Sequence, residues 1–292
     1  MSPGAETAAI GRLPGIGLGE VLDLAGLQTR RDRKYLVRRE DCLRLFGALA
    51  DRRDWAVLQI GGSRRFRYTS TYFDTPDLLT FRLHRQDRRR RYKIRTRSYL
   101  DTASSSFEVK LEGSRETTVK QRIAHPFDKR AELTAQARSF LVRALTEAYG
   151  TLPPAELAPA AETAYWRRTL VDLSGAARVT CDTGLVCTAR GASAAADPRW
   201  AVVECKSAGG DSAADRILRA LGARPLRISK YCLAVAVLHP GVRANPWNRA
   251  LRTWFGRGAG EPGPPGPVAL RAAEAAVPGP DAAAEERAAC AW

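Results

Sequence analysis

Charged and apolar side chains alternate through the middle of the chain. In Tyr92–Tyr99, Lys93, Arg95 and Arg97 recur at every second position, which puts all three on one face of a β-strand. Phe107–Glu112 repeats the pattern, with Glu108, Lys110 and Glu112 on one side and Phe107, Val109 and Leu111 on the other. Val119–Arg122, Arg178–Asp182 and Val202–Lys206 alternate in the same way. These segments predict a mainly antiparallel sheet with one apolar layer and one dense ionic face. Helical spacing takes over elsewhere. Gly19–Leu27 aligns Val21, Leu22, Leu24 and Ala25. Asp41–Leu49 carries Cys42, Leu45, Phe46 and Leu49 on one stripe. Glu132–Tyr149 carries Leu133, Phe140, Leu141, Ala144, Leu145 and Ala148, with Gly150 as a stop. A further helix is predicted over Asp211–Leu221, ended by Gly222 with Pro225 shortly after. Such helices would cover the apolar side of the sheet, giving an α+β domain built around a barrel.

Charge sharpens this picture. The 292 residues carry a formal charge of +16, and residues 30–130 alone, with 27 Lys and Arg against 13 Asp and Glu, hold +14 of it. So local an excess calls for an anionic partner: nucleic acid, a membrane surface or phosphate chains. An ionic strand face can meet bulk water or line the lumen of a closed barrel, and alternation alone leaves both open. Arg at every second position is repulsive unless an anion lies between, which favours a polyanion site.

Other chemistries find little support. The cysteines form no CxxC pair, and His84, His125 and His239 cluster with none of them, against a zinc site. Cys181, Cys205 and Cys232 sit among Val, Leu or Ala in segments that read as strands, where a thiol behaves as a small buried hydrophobe. There is no GxxxxGK[ST], HExxH or Ser/His/Asp set. No apolar run approaches the roughly 20 residues that span a bilayer, and Met1 opens no leader pattern, so a soluble cytoplasmic protein is expected. Residues 1–17 and the Pro-, Gly- and Ala-rich 241–292 are expected to be largely disordered, leaving a folded domain over 18–240.

Particular strings add a resemblance. Asp32-Arg33-Lys34-Tyr35-Leu36-Val37, Ser70-Thr71-Tyr72-Phe73-Asp74-Thr75-Pro76-Asp77, Lys93–Tyr99 and Phe107-Glu108-Val109-Lys110 come first. Tyr165-Trp166-Arg167, Arg178–Asp182, Val203-Glu204-Cys205-Lys206 and Ser229-Lys230-Tyr231 follow in order. Together they resemble the VTC domain of the vacuolar transporter chaperone family of polyphosphate polymerases, over about residues 18–240. The resemblance implies the triphosphate tunnel fold, a closed antiparallel eight-stranded barrel with a basic lumen that holds a phosphate chain and a divalent cation, Mn²⁺ or Mg²⁺. It implies transfer of the terminal phosphoryl group of ATP to growing polyphosphate. It does not imply regulation by inositol phosphates or translocation into an organelle.

The residue types suit that reaction. Phosphoryl transfer needs alignment and neutralisation of charge on the phosphate oxygens. Arg95, Arg97, Arg122, Arg167 and Arg178 offer planar forks for two oxygens each, and Lys34, Lys93, Lys110, Lys120, Lys206 and Lys230 offer point charges. Catalytic positions are expected at Lys34, Arg95, Arg97, Lys110, Arg167, Arg178 and Lys230, with Lys93, Lys120, Arg122 and Lys206 holding phosphate. Glu204 matches the family's metal-binding Glu in the V-E-x-K string, and Glu108 is the second metal candidate; each can instead pair with a neighbouring Lys or Arg. Tyr165 is expected to stack on the nucleotide base, as the resemblance suggests, or to serve as a core aromatic. Tyr72 and Phe73 read as structural, and Asp74 and Asp77, flanking Thr75-Pro76, read as loop formers. Two rival functions share these features: a tunnel triphosphatase that uses water as acceptor, and a non-catalytic polyanion binder. No string specific to nucleic-acid recognition is present.

Overall fold

The computed structural model describes residues 8–24, 31–113, 118–239 and 241–256. The first half contains β1 (Gly15–Ile16), α1 (Leu18–Leu24), β2 (Arg31–Arg38), α2 (Arg39–Asp51), β3 (Trp55–Leu58), β4 (Phe66–Asp74) and α3 (Leu79–Arg85). Then come β5 (Tyr92–Tyr99), β6 (Ser104–Glu112), β7 (Thr118–Ala124) and α4 (Ala135–Tyr149). The second half adds β8 (Ala158–Asp172), β9 (Ala177–Ala189), β10 (Ala192–Ala195), β11 (Trp200–Ser207), α5 (Ala213–Ala220), α6 (Lys230–Leu238) and α7 (Asn248–Phe255). Every segment with ionic alternation is a strand.

Eight strands follow the order β2-β11-β9-β8-β4-β5-β6-β7, each antiparallel to its neighbours, with β1, β3 and β10 attached at the margins. The α+β class and the large antiparallel sheet agree with the sequence reading. The expected closure does not: among the described residues β2 and β7 are not paired, so the sheet is open between them. Near this opening burial and then Lys34 of β2 lower the pKa of Lys110 of β6, while Glu112, Glu204 and Asp32 act the other way.

The outer face is apolar and covered, as the alternation requires. Tyr35, Val37, Val179, Cys181, Val203 and Cys205 pack under Cys42, Leu45, Phe46 and Leu49 of α2 and Leu218 of α5. Ile94, Phe107, Val109 and Leu111 pack under Phe140, Leu141, Ala144 and Leu145 of α4. Side chains set the helix starts later than periodicity placed them. Thr134 accepts from the Ala137 N–H at 3.2 Å, and Ser212 with Asp215 forms a capping box before α5.

Helix α6 is not one of these outer amphipathic helices. Tyr231 to Val237 are all buried, and the helix packs on β8, β9 and β10. Cys232 therefore lies in a helix and not, as expected, in a strand. An apolar run this short has no polar side to reveal its period. Cys181 and Cys205 do lie on strands.

The fold also reaches past the expected boundaries. Trp247, Leu251 and Trp254 are buried beyond residue 240, and Ile10, Leu13 and Ile16 are buried ahead of residue 18. Their large apolar side chains anchor segments whose Gly and Pro content suggested otherwise. Residues 1–7 and the Pro- and Gly-rich stretch from 257 lie outside the described residues.

Candidate polyanion site

Directly opposed residues of an antiparallel pair share a face, so the register decides where each candidate points. Glu204 opposes Lys34 on one side and Thr180 on the other, and Lys206 opposes Arg178. Asp182 opposes Arg167, and Tyr165 opposes Tyr68. Ser70 opposes Arg97, and Arg95 opposes Glu108, which in turn opposes Arg122. Lys110 sits between Lys93 and Lys120. Successive pairs thus bring every strand residue named from the sequence onto the concave face, and Lys230 reaches it from the start of α6. Exposure grades along this lumen. The side chains of Lys110, Lys120 and Lys34 are 37%, 27% and 26% exposed, against 12% for Arg97 and 8% for Arg167. The lysines mark its open side. Phe66, Tyr68 and Tyr99 meet Leu18 around a small, mainly apolar pocket of about 30 Å³, room for a water or two and none for phosphate.

Carboxylates inside the lumen orient cations. Glu108 Oε2 accepts from Arg95 Nε at 2.8 Å and Nη2 at 2.5 Å. Burial works against the Glu108 charge, but Arg95, Arg97 and Lys120 outweigh it and hold the carboxyl below its ordinary range. Asp182 accepts from Arg167 through both oxygens, at 2.7 and 2.8 Å, and from Lys230 at 2.5 Å. Its pKa is lowered too, with Arg167 and then Lys230 overcoming burial. Glu204 lies 3.1 Å from Lys34 and 3.9 Å from Lys206, and Glu204 in turn raises the Lys34 pKa. Burial brings Lys93 and Lys120 each down to about 7 and lowers Lys110, although Lys120 lies 3.5 Å from Glu108 and Lys110 3.8 Å from Glu112.

Several buried polar atoms point into this space without a hydrogen-bond partner. They include Arg97 Nε, Arg122 Nη1 and the hydroxyls of Ser70, Ser106 and Thr163. Ser70 and Ser106 flank Arg97 across its two neighbouring strands, and Thr163 follows Ser70 on β8. Donors gathered in this way, with no acceptor among the described residues, suit the oxygens of an anion. The sequence reading missed Asp182 and these hydroxyls. Asp182 lies an even number of residues from Arg178 and so carried a usable signal; the hydroxyls become visible only once the register is known.

Two expected roles turn on local geometry. Tyr165 is 3% exposed, stacked on Tyr68 at 5.7 Å, with Lys230 Nζ 4.4 Å from its ring centroid. Its ring is covered in this structure by Tyr68 and Lys230. For a divalent cation, no group of three His, Cys, Asp or Glu is gathered among the described residues. A phosphate-bound Mg²⁺ or Mn²⁺ needs only one or two carboxylates, the rest of its shell being phosphate oxygens and water. Partly exposed Glu204 fits that demand if Lys34 turns to phosphate. Glu108, ringed by Arg95, Arg97 and Lys120, has one oxygen, Oε1, without a hydrogen bond and fits less well. Asp74 organises a loop, as expected: its carboxylate accepts from the backbone N–H groups of Thr75, Thr80 and Phe81 and from the Tyr231 hydroxyl.

An antiparallel sheet that gathers many cations and few carboxylates on one face has the charge to suit a polyanion. The chain belongs to the VTC domain family, whose model matches residues 29–239. Comparison with curated proteins gave no match. Among solved structures, an adenylate cyclase candidate from Bacillus halodurans is 15% identical, covers 69% of this chain and 94% of its own, and has a TM-score of 0.38. The adenylyl cyclase candidate HpAC1 from Hippeastrum, whose description gives a dominant triphosphatase activity, is 14% identical, with coverages of 70% and 93% and a TM-score of 0.43. The PH1819 protein from Pyrococcus horikoshii OT3 is 13% identical, with 70%, 94% and 0.39. At these scores the likenesses decide nothing about this chain. Family and site together support a function in the chemistry of linked phosphates. Among the described residues no helix is long and apolar enough to cross a membrane.

Proposed function

We propose that this chain is a polyphosphate polymerase, transferring the terminal phosphoryl group of ATP to a growing polyphosphate chain within the basic lumen. The observation that carries the reading is Arg97, a buried guanidinium whose Nε lacks an acceptor and whose cross-strand neighbours are the partnerless hydroxyls of Ser70 and Ser106. In the transfer, a terminal chain oxygen attacks the γ-phosphorus, the bond to the bridging oxygen breaks, and ADP leaves with that electron pair. Arg95 and Arg167, fixed by Glu108 and Asp182, aim their remaining N–H groups at the phosphates. Arg97, through an Nε without an acceptor, and Arg122, through Nη1, supply further donors, and Arg178 adds its charge. Lys34, Lys93, Lys110, Lys120, Lys206 and Lys230 neutralise charge on the chain. A divalent cation held by Glu204, with Glu108 as second candidate, would supply charge neutralisation at the transferring group.

A second reading uses the same cations and carboxylates with water as the acceptor: hydrolysis of triphosphate or nucleoside triphosphate. The purified protein with ATP and Mn²⁺ or Mg²⁺ separates the two. Polymer accumulation is expected; orthophosphate without polymer transfers the assignment to a triphosphatase. Tight polyphosphate binding with no ATP consumption leaves a non-catalytic binder.

A further inference from the structure

The strand bearing Lys93, Arg95 and Arg97 is preceded by four consecutive arginines, Arg88 to Arg91. Arg91 lies two residues before Lys93 and is half-buried; it approaches Asp87 at 3.2 Å and Glu112, at the end of β6, at 4.0 Å. Asp87 adopts the left-handed conformation, φ 54°, and accepts from Arg227 at 2.7 Å. Arg91 Nη1 also donates to the Arg88 carbonyl at 2.8 Å. The turn is therefore tied both to β6 and to the segment leading into α6. It does not hang free in solvent.

Within that frame Arg88, Arg89 and Arg90 are exposed. Arg88 Nε donates to Gln86, and no acidic side chain among the described residues pairs with Arg89 or Arg90. Asp87, the acidic residue of the turn, is already used by Arg91 and Arg227. Adjacent guanidiniums without counter-charge repel one another, and the turn that carries them leads within two residues into Lys93, which opposes Lys110.

We propose that Arg88, Arg89 and Arg90 form an outer anchor for the distal phosphates of a linear chain whose proximal phosphates lie on Lys93, Arg95 and Arg97. The inference rests on the lumen binding linked phosphates and adds a preference for chains longer than the lumen. Tethering makes the outer contact effectively intramolecular, so weak exposed ion pairs strengthen a long ligand and leave a short one unaffected.

The test compares tripolyphosphate with long-chain polyphosphate on the full chain, native and with Arg88→Ser, Arg89→Ser and Arg90→Ser combined, at two salt concentrations. These exposed changes leave the core intact, and circular dichroism checks it. Expected is tripolyphosphate affinity within about twofold of native, with long-chain affinity down roughly tenfold and its salt dependence shallower. Equal loss for both ligands, or no loss for either, overturns the anchor while leaving the lumen reading in place. Duplex DNA competing as well as long-chain polyphosphate, and only in the native protein, reassigns the turn to nucleic acid. A native protein that binds neither phosphate ligand removes the lumen reading and the anchor with it.

Discussion

Arg167 and Asp182 face each other across the β8–β9 pair, joined by two hydrogen bonds of 2.7 and 2.8 Å, and Lys230 donates to the same carboxylate from the start of α6. One buried carboxylate thus fixes two cations from two elements. Asp182→Ala would strand both in a low-dielectric site, a loss of about 3–5 kcal/mol. A markedly lower melting temperature is expected, and tripolyphosphate should restore more of it than it adds to native protein, because the anion replaces the missing charge. A variant that melts like native protein would strip Asp182 of this role.

Arg97 gives a prediction about affinity. Burial opposes its charge, yet Glu108 and the neighbouring tyrosines hold its pKa above the ordinary value, so it remains a cation. Arg97→Lys keeps the charge and loses the fork. With a charged hydrogen bond worth about 1.5–3 kcal/mol, tripolyphosphate binding by calorimetry should weaken by roughly 10- to 100-fold. Unchanged affinity would place the phosphates elsewhere.

The lysine side should make binding pH-dependent. His84 Nε2 lies 3.2 Å from the Tyr92 carbonyl, which can only accept, so Nε2 carries the proton and Nδ1 accepts from Lys93 Nζ at 3.2 Å. Burial, with Lys93 and Arg91 nearby, lowers the His84 pKa to about 2, so the ring stays neutral. Lys93 itself is lowered to about 7 by burial. Above that pH the empty protein holds Lys93 mostly neutral, and a bound anion raises its pKa and draws in a proton. Tripolyphosphate affinity should fall as pH rises from 7 toward 9. Calorimetry at pH 8 in buffers of different ionisation enthalpy should show net proton uptake, reduced in Lys93→Met; Lys120, also lowered to about 7, accounts for uptake that persists.

These relationships were unequally legible beforehand. A period of two exposed β5, β6, β7, β9 and β11, because alternating charge needs no partner strand to be recognised. It also put Arg95, Glu108, Arg178 and Glu204 on one face. What each ion touches is a matter of register: Ser70 joins Arg97 through the β4–β5 pairing, which nothing local to Ser70 announces. Helix α6 escaped because an apolar stretch of nine residues reads equally as strand. Closure of the barrel depends on forces between β2 and β7, far apart in the chain, and leaves no periodic trace.

Glu204 separates metal from phosphate. Glu204→Gln removes the carboxylate but preserves shape, and it frees Lys34, whose pKa Glu204 raises more than any other group. Metal-dependent ATP turnover should fall at least about a hundredfold, since a metal's charge stabilisation amounts to several kcal/mol. Tripolyphosphate binding without metal should hold or tighten, because a negative charge has left the lumen. Native turnover would exclude Glu204 from the metal site; parallel loss of metal-free binding would make it structural.

The seam between β2 and β7 leads to a prediction about shape. Lys34 and Lys110 repel across it, offset in part by Glu204 and Glu112, and Lys110 faces Lys120 on β7, so a bound phosphate chain would add counter-charge where the lysines gather. Closing the seam would bring β7 toward an edge of β2 that is already engaged at the Lys34 carbonyl, which accepts from the Leu226 N–H at 2.8 Å, and would pair the edge groups that remain. Hydrogen exchange reads this directly, because an edge amide that gains a partner exchanges more slowly. Tripolyphosphate should slow exchange in Arg31–Arg38 and Thr118–Ala124, and leave β8, paired on both sides already, nearly unchanged. Lys34→Met, which removes one repelling charge, should slow the same edges partway without ligand. Uniform protection across the whole sheet would instead report a general gain in stability, and the seam would then be a permanent opening.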